Sequence, residues 1–292
     1  MNSFRRYRHA WLGLALLIVA VPVYYGYTMA DTFLWSQQEI HRYFKGKTHV
    51  PVARRLVYNG MSVEYMTAGA DSLPVILFIH GAPGGWTDYI RYFADSTLLQ
   101  QARLIAYDRP GYGLSGCGQP VTSLDEQASV AQAVLQREAP HRPFVAVGHS
   151  YGGPIAARLA MRQPSGLLSL VLIAPAIDPD NEKQFFVNRV LTAIPALQRL
   201  LPCSMFSAYR EKMTHESELR LITGDWNRIQ VPTFYMYGNR DQLVPPVNVD
   251  FAQKNLQAPL HIVRFPNGNH FLPWNQPDSV RAVLLRALQP YF

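Results

Sequence analysis

Ser150 stands at the centre of Gly148-His149-Ser150-Tyr151-Gly152, between an apolar run at 144–147 and a helix-compatible stretch at 154–162. A serine on so sharp a strand-to-helix turn needs small neighbours, because a Cβ there would meet the adjoining backbone. The turn lifts the hydroxyl above the sheet and aims it toward the positive end of the next helix. A serine hydroxyl is a poor nucleophile until a base takes its proton, so the chain must also supply a base and a group to orient it. Asp241 ends the segment Tyr235-Met236-Tyr237-Gly238-Asn239-Arg240-Asp241, and His270 ends Phe265-Pro266-Asn267-Gly268-Asn269-His270. Each reads as a strand running out into a loop that bears the polar residue. An imidazole titrates near neutrality and suits the base. A carboxylate beside it fixes the tautomer and stabilises the imidazolium formed during attack. The chemistry implied is acyl transfer through a covalent serine intermediate.

The chain has nine histidines, and position separates the candidates among them. His149 travels with the turn, His80 reads as a packing residue at a strand end, His215 falls in a helical insertion and His261 begins a strand. Only His270 follows the last strand, at the edge where open α/β sheets place their sites. Asp178, just beyond the sixth strand, is the alternative acid to Asp241.

Those residues need a frame, and the chain spells one out. Strand-like runs occur at 54–58, 62–67, 75–79, 103–107, 144–147, 168–173, 233–237 and 260–265, and Asn59-Gly60 between the first two is a hairpin signal. Helical patterns, including 123–138 and 154–163, separate most of the others. The alternation predicts an α/β fold: a mostly parallel eight-stranded sheet with helices on both faces and an antiparallel edge. Between 173 and 231 the alternation stops. Phe186, Val190, Ile194, Leu197 and Leu201 fall near helical spacing, interrupted at Pro195. This insertion is expected either to cover the site or to add surface helices that bury only their own apolar face.

Four motifs stand in register: His80-Gly81-Ala82-Pro83-Gly84-Gly85 after a strand, Asp108-Arg109-Pro110-Gly111-Tyr112-Gly113 after the next, the Ser150 turn, and the Asp241 and His270 loops. In these the chain resembles the α/β-hydrolase superfamily, in particular its His-Gly-x-Pro-Gly branch of esterases, lipases, perhydrolases and proline iminopeptidases, over about 53–292. The resemblance implies an α/β-hydrolase fold with a helical cap at about 176–230, and an oxyanion hole formed by the backbone N–H groups of Ala82 and Tyr151. It implies a turn-stabilising role for Asp108 and Arg109, and an apolar substrate pocket for which Trp86, Phe185, Phe186, Met205, Phe206, Phe271 and Trp274 are the candidates. Epoxide hydrolases and haloalkane dehalogenases share this fold but carry aspartate where this chain has Ser150. Proline iminopeptidases typically have glycine in place of Ala82 and use acidic cap residues to hold an amino group. Glu182, Glu211, Glu216 and Glu218 are available for that. The expected function is hydrolysis of a small ester with an apolar acyl or alcohol group, with aminopeptidase, perhydrolase and non-catalytic binding as the alternatives.

No phosphate-cradling loop, dinucleotide fingerprint or Cys/His metal spacing occurs, so no cofactor or metal is expected. With 292 residues, 48% hydrophobic and 16% charged, the chain is globular and can bury a sizeable core. Its net charge of +7 is partly local, in Arg5, Arg6 and Arg8, and no basic cluster or motif points to nucleic acid. After this basic start (1–9), residues 10–30 carry no charge until Asp31 and are long enough to span a bilayer, which predicts a membrane anchor with the catalytic domain on the non-cytoplasmic side. A cleaved signal peptide ending at Thr28-Met29-Ala30 is the alternative, with secretion as its result. Residues 31–52 read as an amphipathic stalk or linker, and 53–292 as the hydrolase domain. Cys117 and Cys203, far apart in sequence, are expected to be unpaired. The oligomeric state is left open.

Overall fold

The structure is a computed structural model, and it describes residues 35–289. The stretch 10–30 lies outside the described residues. No helix among those described is long and apolar enough to cross a membrane.

Eight strands form one sheet: β1 (Val52–Tyr58), β2 (Met61–Ala68), β3 (Val75–Ile79), β4 (Arg103–Tyr107), β5 (Phe144–His149), β6 (Leu167–Ile173), β7 (Thr233–Gly238) and β8 (Leu260–Phe265). Their order is β1-β2-β4-β3-β5-β6-β7-β8. β1 and β2 form the antiparallel hairpin across Asn59-Gly60, β2 pairs antiparallel with β4, and every other pair is parallel. From β3 the chain goes to β4 on one side and then to β5 on the other. That reversal makes the crevice at the carboxyl ends of β3 and β5 the natural place for a site.

The central strands are apolar at nearly every position because both faces of the sheet are covered. Alternate residues go to opposite faces. Val75, Leu77 and Ile79 of β3 join one core cluster with Ala146 of β5 and Leu170 and Leu172 of β6. Ile76 and Phe78 join the other with Val145, Val147, Val171 and Ile173. The first cluster is closed by α3 (Leu124–Glu138) and α4 (Gly152–Met161), which follow α1 (Gln37–Phe44) and the short α2 (Ser96–Leu99) in the chain. Ser123 starts α3 by accepting a hydrogen bond from the Glu126 N–H at 3.3 Å. The second cluster is closed by α9 (Pro277–Ala287), after α7 (Asn248–Asn255) and α8 (Leu272–Asn275). It also takes in Phe44, the last residue of α1, so this helix packs on the body of the domain.

Between β6 and β7 lies the cap. It consists of α5 (Phe186–Ala193), a 3-10 turn at Pro195–Leu200 and the 20-residue α6 (Cys203–Ile222), with further 3-10 turns at Pro179–Asn181 and Thr223–Arg228. Pro195 ends the first helix as its sequence suggests. Cys117 and Cys203 are not free thiols: they form a disulfide that ties the loop after β4 to the first residue of α6. The expectation of unpaired cysteines fails because the cap folds back over that loop and brings residues 86 apart in sequence to a Cα–Cα distance of 5.3 Å.

Candidate active site

β5 runs directly into the turn that carries Ser150. Its φ of +52° is left-handed, a conformation that costs a non-glycine residue energy and is held by its surroundings. The Ser150 N–H donates to the Ile173 carbonyl at 3.0 Å, and the Ser150 carbonyl accepts from Gly153 and Ala176. A Cβ at Gly148 would lie 2.3 Å from the Gly152 carbonyl oxygen, and one at Gly152 would lie 2.2 Å from that of Ile79. The two glycines of the motif are therefore demanded by close backbone approach.

His270 lies in the loop between β8 and α8, and its Nδ1 donates to Asp241 Oδ2 at 2.7 Å. Both are buried, and the second oxygen of Asp241 accepts from the N–H groups of Leu243 (2.9 Å) and Val244 (2.8 Å). The carboxylate is thus fixed by its own loop and in turn fixes the ring, which leaves Nε2 for the reaction. Ser150, His270, Ala82 and Tyr151 line one cavity. Among the described residues, no acceptor takes the backbone N–H of Ala82 or Tyr151, so both donors are available to a developing oxyanion. Asp178 is occupied elsewhere. Its carboxylate accepts from the Asp180 N–H and from the Asn181 side chain, which caps the turn at Pro179–Asn181.

Two further histidines support the centre. Nε2 of His149 donates to the His270 carbonyl at 3.1 Å. Burial, and then the proximity of His270, bring the His149 pKa down to about 3, so it stays neutral. His80 is fully buried; its Nε2 accepts from the Arg109 N–H at 2.9 Å and its Nδ1 bonds the Gly81 carbonyl.

Arg109 does more than stabilise a turn. Its guanidinium donates to the carbonyls of His80 (2.9 Å) and Gly81 (2.8 Å), the two residues before Ala82, and to both oxygens of Glu211 on α6. Gln127 and Tyr112 complete this fully buried cluster, and the guanidinium lies over the Tyr151 ring, 4.9 Å from its centroid. Burial opposes the Arg109 charge, but the Glu211 carboxylate outweighs it and holds the pKa above the ordinary value. The cluster joins the loop before Ala82 and the Tyr151 ring to the cap. Removing one partner of such a pair leaves a buried charge uncompensated. Glu211→Gln is accordingly expected to destabilise the protein by about 3–5 kcal/mol, read as a lower urea midpoint; an unchanged midpoint would refute the coupling.

The cavity has a volume of about 360 Å³. Of the seven candidates Phe185, Phe186 and Met205 line it, together with Val187, Val190, Leu191, Leu197, Leu201, Leu243 and Val244. The other four aromatic candidates do not. Trp86 packs edge-on against Phe93 in the second core cluster. Met205, Ala208, Tyr209, Lys212 and His215 are the face of α6 toward the cavity, and Phe206, one position on from Met205, is turned about 100° away from it. Trp274 packs on His149 and on Phe271, behind the His270 ring, and Phe271 packs on His270. Of the four cap acids offered by the sequence, Glu182 alone lies in the cavity wall, beside Lys212 and His215. Glu182 accepts from His215 Nδ1 at 2.8 Å and is ion-paired to Lys212. Burial raises the Glu182 pKa, but these two partners outweigh it and leave it lowered.

The profile of the alpha/beta hydrolase family matches residues 76–283. Proline iminopeptidase PfmaB of Pestalotiopsis fici is 23% identical over 76% of this chain and 94% of its own. Lipase LipV of Mycobacterium tuberculosis is 28% identical over 66% of this chain and 85% of its own. Among solved structures, a membrane phospholipase A described as a bacterial virulence factor superposes with a TM-score of 0.66 at 22% identity, covering 96% of this chain and 98% of that one.

Proposed function

The chain belongs to the alpha/beta hydrolase family, and from that premise we propose that it cleaves carboxylic esters through an acyl-enzyme. The observation that carries this reading is the shared cavity: Ser150, a histidine oriented by a buried carboxylate, and two backbone donors without an acceptor among the described residues line one mostly apolar chamber. In the first step Ser150 Oγ attacks the ester carbon while His270 Nε2 takes its proton. The carbonyl oxygen, now an oxyanion, accepts from the N–H groups of Ala82 and Tyr151, each worth roughly 3–4 kcal/mol at the transition state. The tetrahedral carbon expels the alcohol, which leaves with the proton from His270. Water then gives a proton to the same nitrogen, attacks the acyl carbon and releases the acid, and Ser150 regains its hydrogen.

Ester cleavage is favoured over aminopeptidase action by the state of the cap acids. Glu182 is held by His215 and Lys212, Glu211 by Arg109, Glu216 by Arg220, and Glu218 accepts from the Leu124 N–H. None is left to bind a substrate ammonium. A panel of p-nitrophenyl esters beside proline-β-naphthylamide tests this. Catalytic efficiency is expected to rise by about fourfold for each added acyl methylene until the cavity is full, since a buried CH₂ is worth about 0.8 kcal/mol. Turnover of the amide with no turnover of any ester would defeat the proposal.

We read residues 10–30 as a membrane anchor that holds the domain outside the cytoplasm. The Cys117–Cys203 disulfide supports an oxidising compartment. The intact protein should then stay with membranes through a high-salt wash and be cut by protease added on the non-cytoplasmic side. A mature chain starting at Asp31 and free in solution would contradict this.

A further inference from the structure

Residues 183–202 form the outer part of the cap, and their exposed surface combines two kinds of side chain. Phe186 is 76% exposed, Val187 40%, Ile194 48% and Leu200 47%. The same stretch holds Lys183, Arg189 and Arg199 and not one Asp or Glu. Among the described residues neither arginine has an ion-pair partner, while Lys183 donates to the Gln242 carbonyl next to Leu243. On α5, Phe186, Arg189 and Ala193 share the outward face by helical spacing, and Asn188 and Leu191 are buried opposite. Phe186 and Val187 also line the cavity, so side chains that belong to its wall stand in solvent at its mouth.

Exposed apolar residues scattered singly are ordinary. Here Phe186 and Val187 belong to the wall of an apolar chamber, Ile194 and Leu200 follow in the same cap segment, and all four are interleaved in sequence with cations that have no ion-pair partner among the described residues. Apolar side chains among Lys and Arg, with no acid between them, suit the boundary between lipid headgroups and acyl chains: the apolar groups enter it and the cations stay at the phosphates. A protein partner would need acids placed to match the irregular spacing of 183, 189 and 199. A fluid anionic lipid surface supplies phosphates wherever the cations fall.

We propose that this face of the cap docks on the surface of an anionic phospholipid bilayer, with Phe186, Val187, Ile194 and Leu200 entering the headgroup–acyl boundary and Lys183, Arg189 and Arg199 held at the phosphates. The cavity then opens toward the acyl chains. The docking requires nothing of the ester chemistry and is measured without turnover.

The test labels the full chain with an environment-sensitive fluorophore at Ile194→Cys, with Val57→Cys on the edge strand β1 as the reference. Neither position lines the cavity, Val57 is 72% exposed, and the native cysteines are already bonded to each other. On vesicles of phosphatidylcholine with phosphatidylglycerol, the Ile194 label should shift to the blue and lose about two-thirds of its quenching by acrylamide, while the Val57 label does not. Phosphatidylcholine alone should protect it far less. Arg189→Gln with Arg199→Gln should remove most of the protection, since each cation near an anionic surface changes the docking equilibrium about fivefold. Equal quenching at both positions on both vesicle types overturns the proposal. Protection that ignores the anionic lipid overturns it as well. Protection that grows with protein concentration in the absence of vesicles would place a second copy on this face and also overturn it.

Discussion

Ser150→Ala is expected to abolish labelling by a fluorophosphonate and to lower ester turnover by at least about a thousandfold, with His270→Ala similar and the double substitution scarcely worse than either. The reason is that nucleophile and base act in one step. Without Oγ no acyl-enzyme forms, and without the imidazole the hydroxyl keeps its proton. The left-handed φ of Ser150 is imposed by the strand, the helix and the glycines around it, so alanine inherits the same backbone and the fold should persist. Circular dichroism checks that, and single-turnover kinetics on a p-nitrophenyl ester read the loss. If the two single losses multiplied in the double variant, the shared step would be wrong.

Asp241→Asn is expected to keep the fold and reduce turnover by a factor that approaches ~10⁴. The carboxylate accepts from His270 Nδ1 with one oxygen and from the Leu243 and Val244 N–H groups with the other. An amide that keeps its oxygen toward those two N–H groups turns its NH₂ toward Nδ1, which then must accept. The proton moves to Nε2, the nitrogen that should take the one from Ser150. Asp178→Asn serves as the comparison, since that carboxylate caps a turn in the cap and makes no bond to His270. A larger loss at Asp178 than at Asp241 would reverse the assignment.

Much of this was legible in the chain because the signals are local. The strands of the sheet were readable as apolar runs, since burial on both faces removes any need for polar alternation. The Ser150 turn was readable because its glycines are required by contacts within a few residues, and the order of Ser150, Asp241 and His270 follows from the strands that carry them. The cap was harder. Its first helix has a regular apolar stripe that Pro195 ends, but α6, the longest described helix, escaped notice. Its buried face runs Ser204, Ser207, Glu211, His215, Leu219 and Ile222, spaced as a helix requires but polar over its first half. A search for hydrophobic period passes over such a face.

That face is polar because of what it meets. Glu211 lies against Arg109, from a loop 102 residues earlier, and His215 lies against Glu182 and the Tyr151 ring. Neighbours in the chain and burial are enough to set the sheet, the Ser150 turn and the chain order of Ser150, Asp241 and His270. Folding in three dimensions sets which aromatics reach the cavity, that the cap acids are all engaged, that Cys117 meets Cys203, and that Arg109 links the His80–Gly81 loop to the cap. Each of these is set by where a helix face turns or where two distant segments meet, and pairings of that kind are fixed only when the cap closes over the sheet.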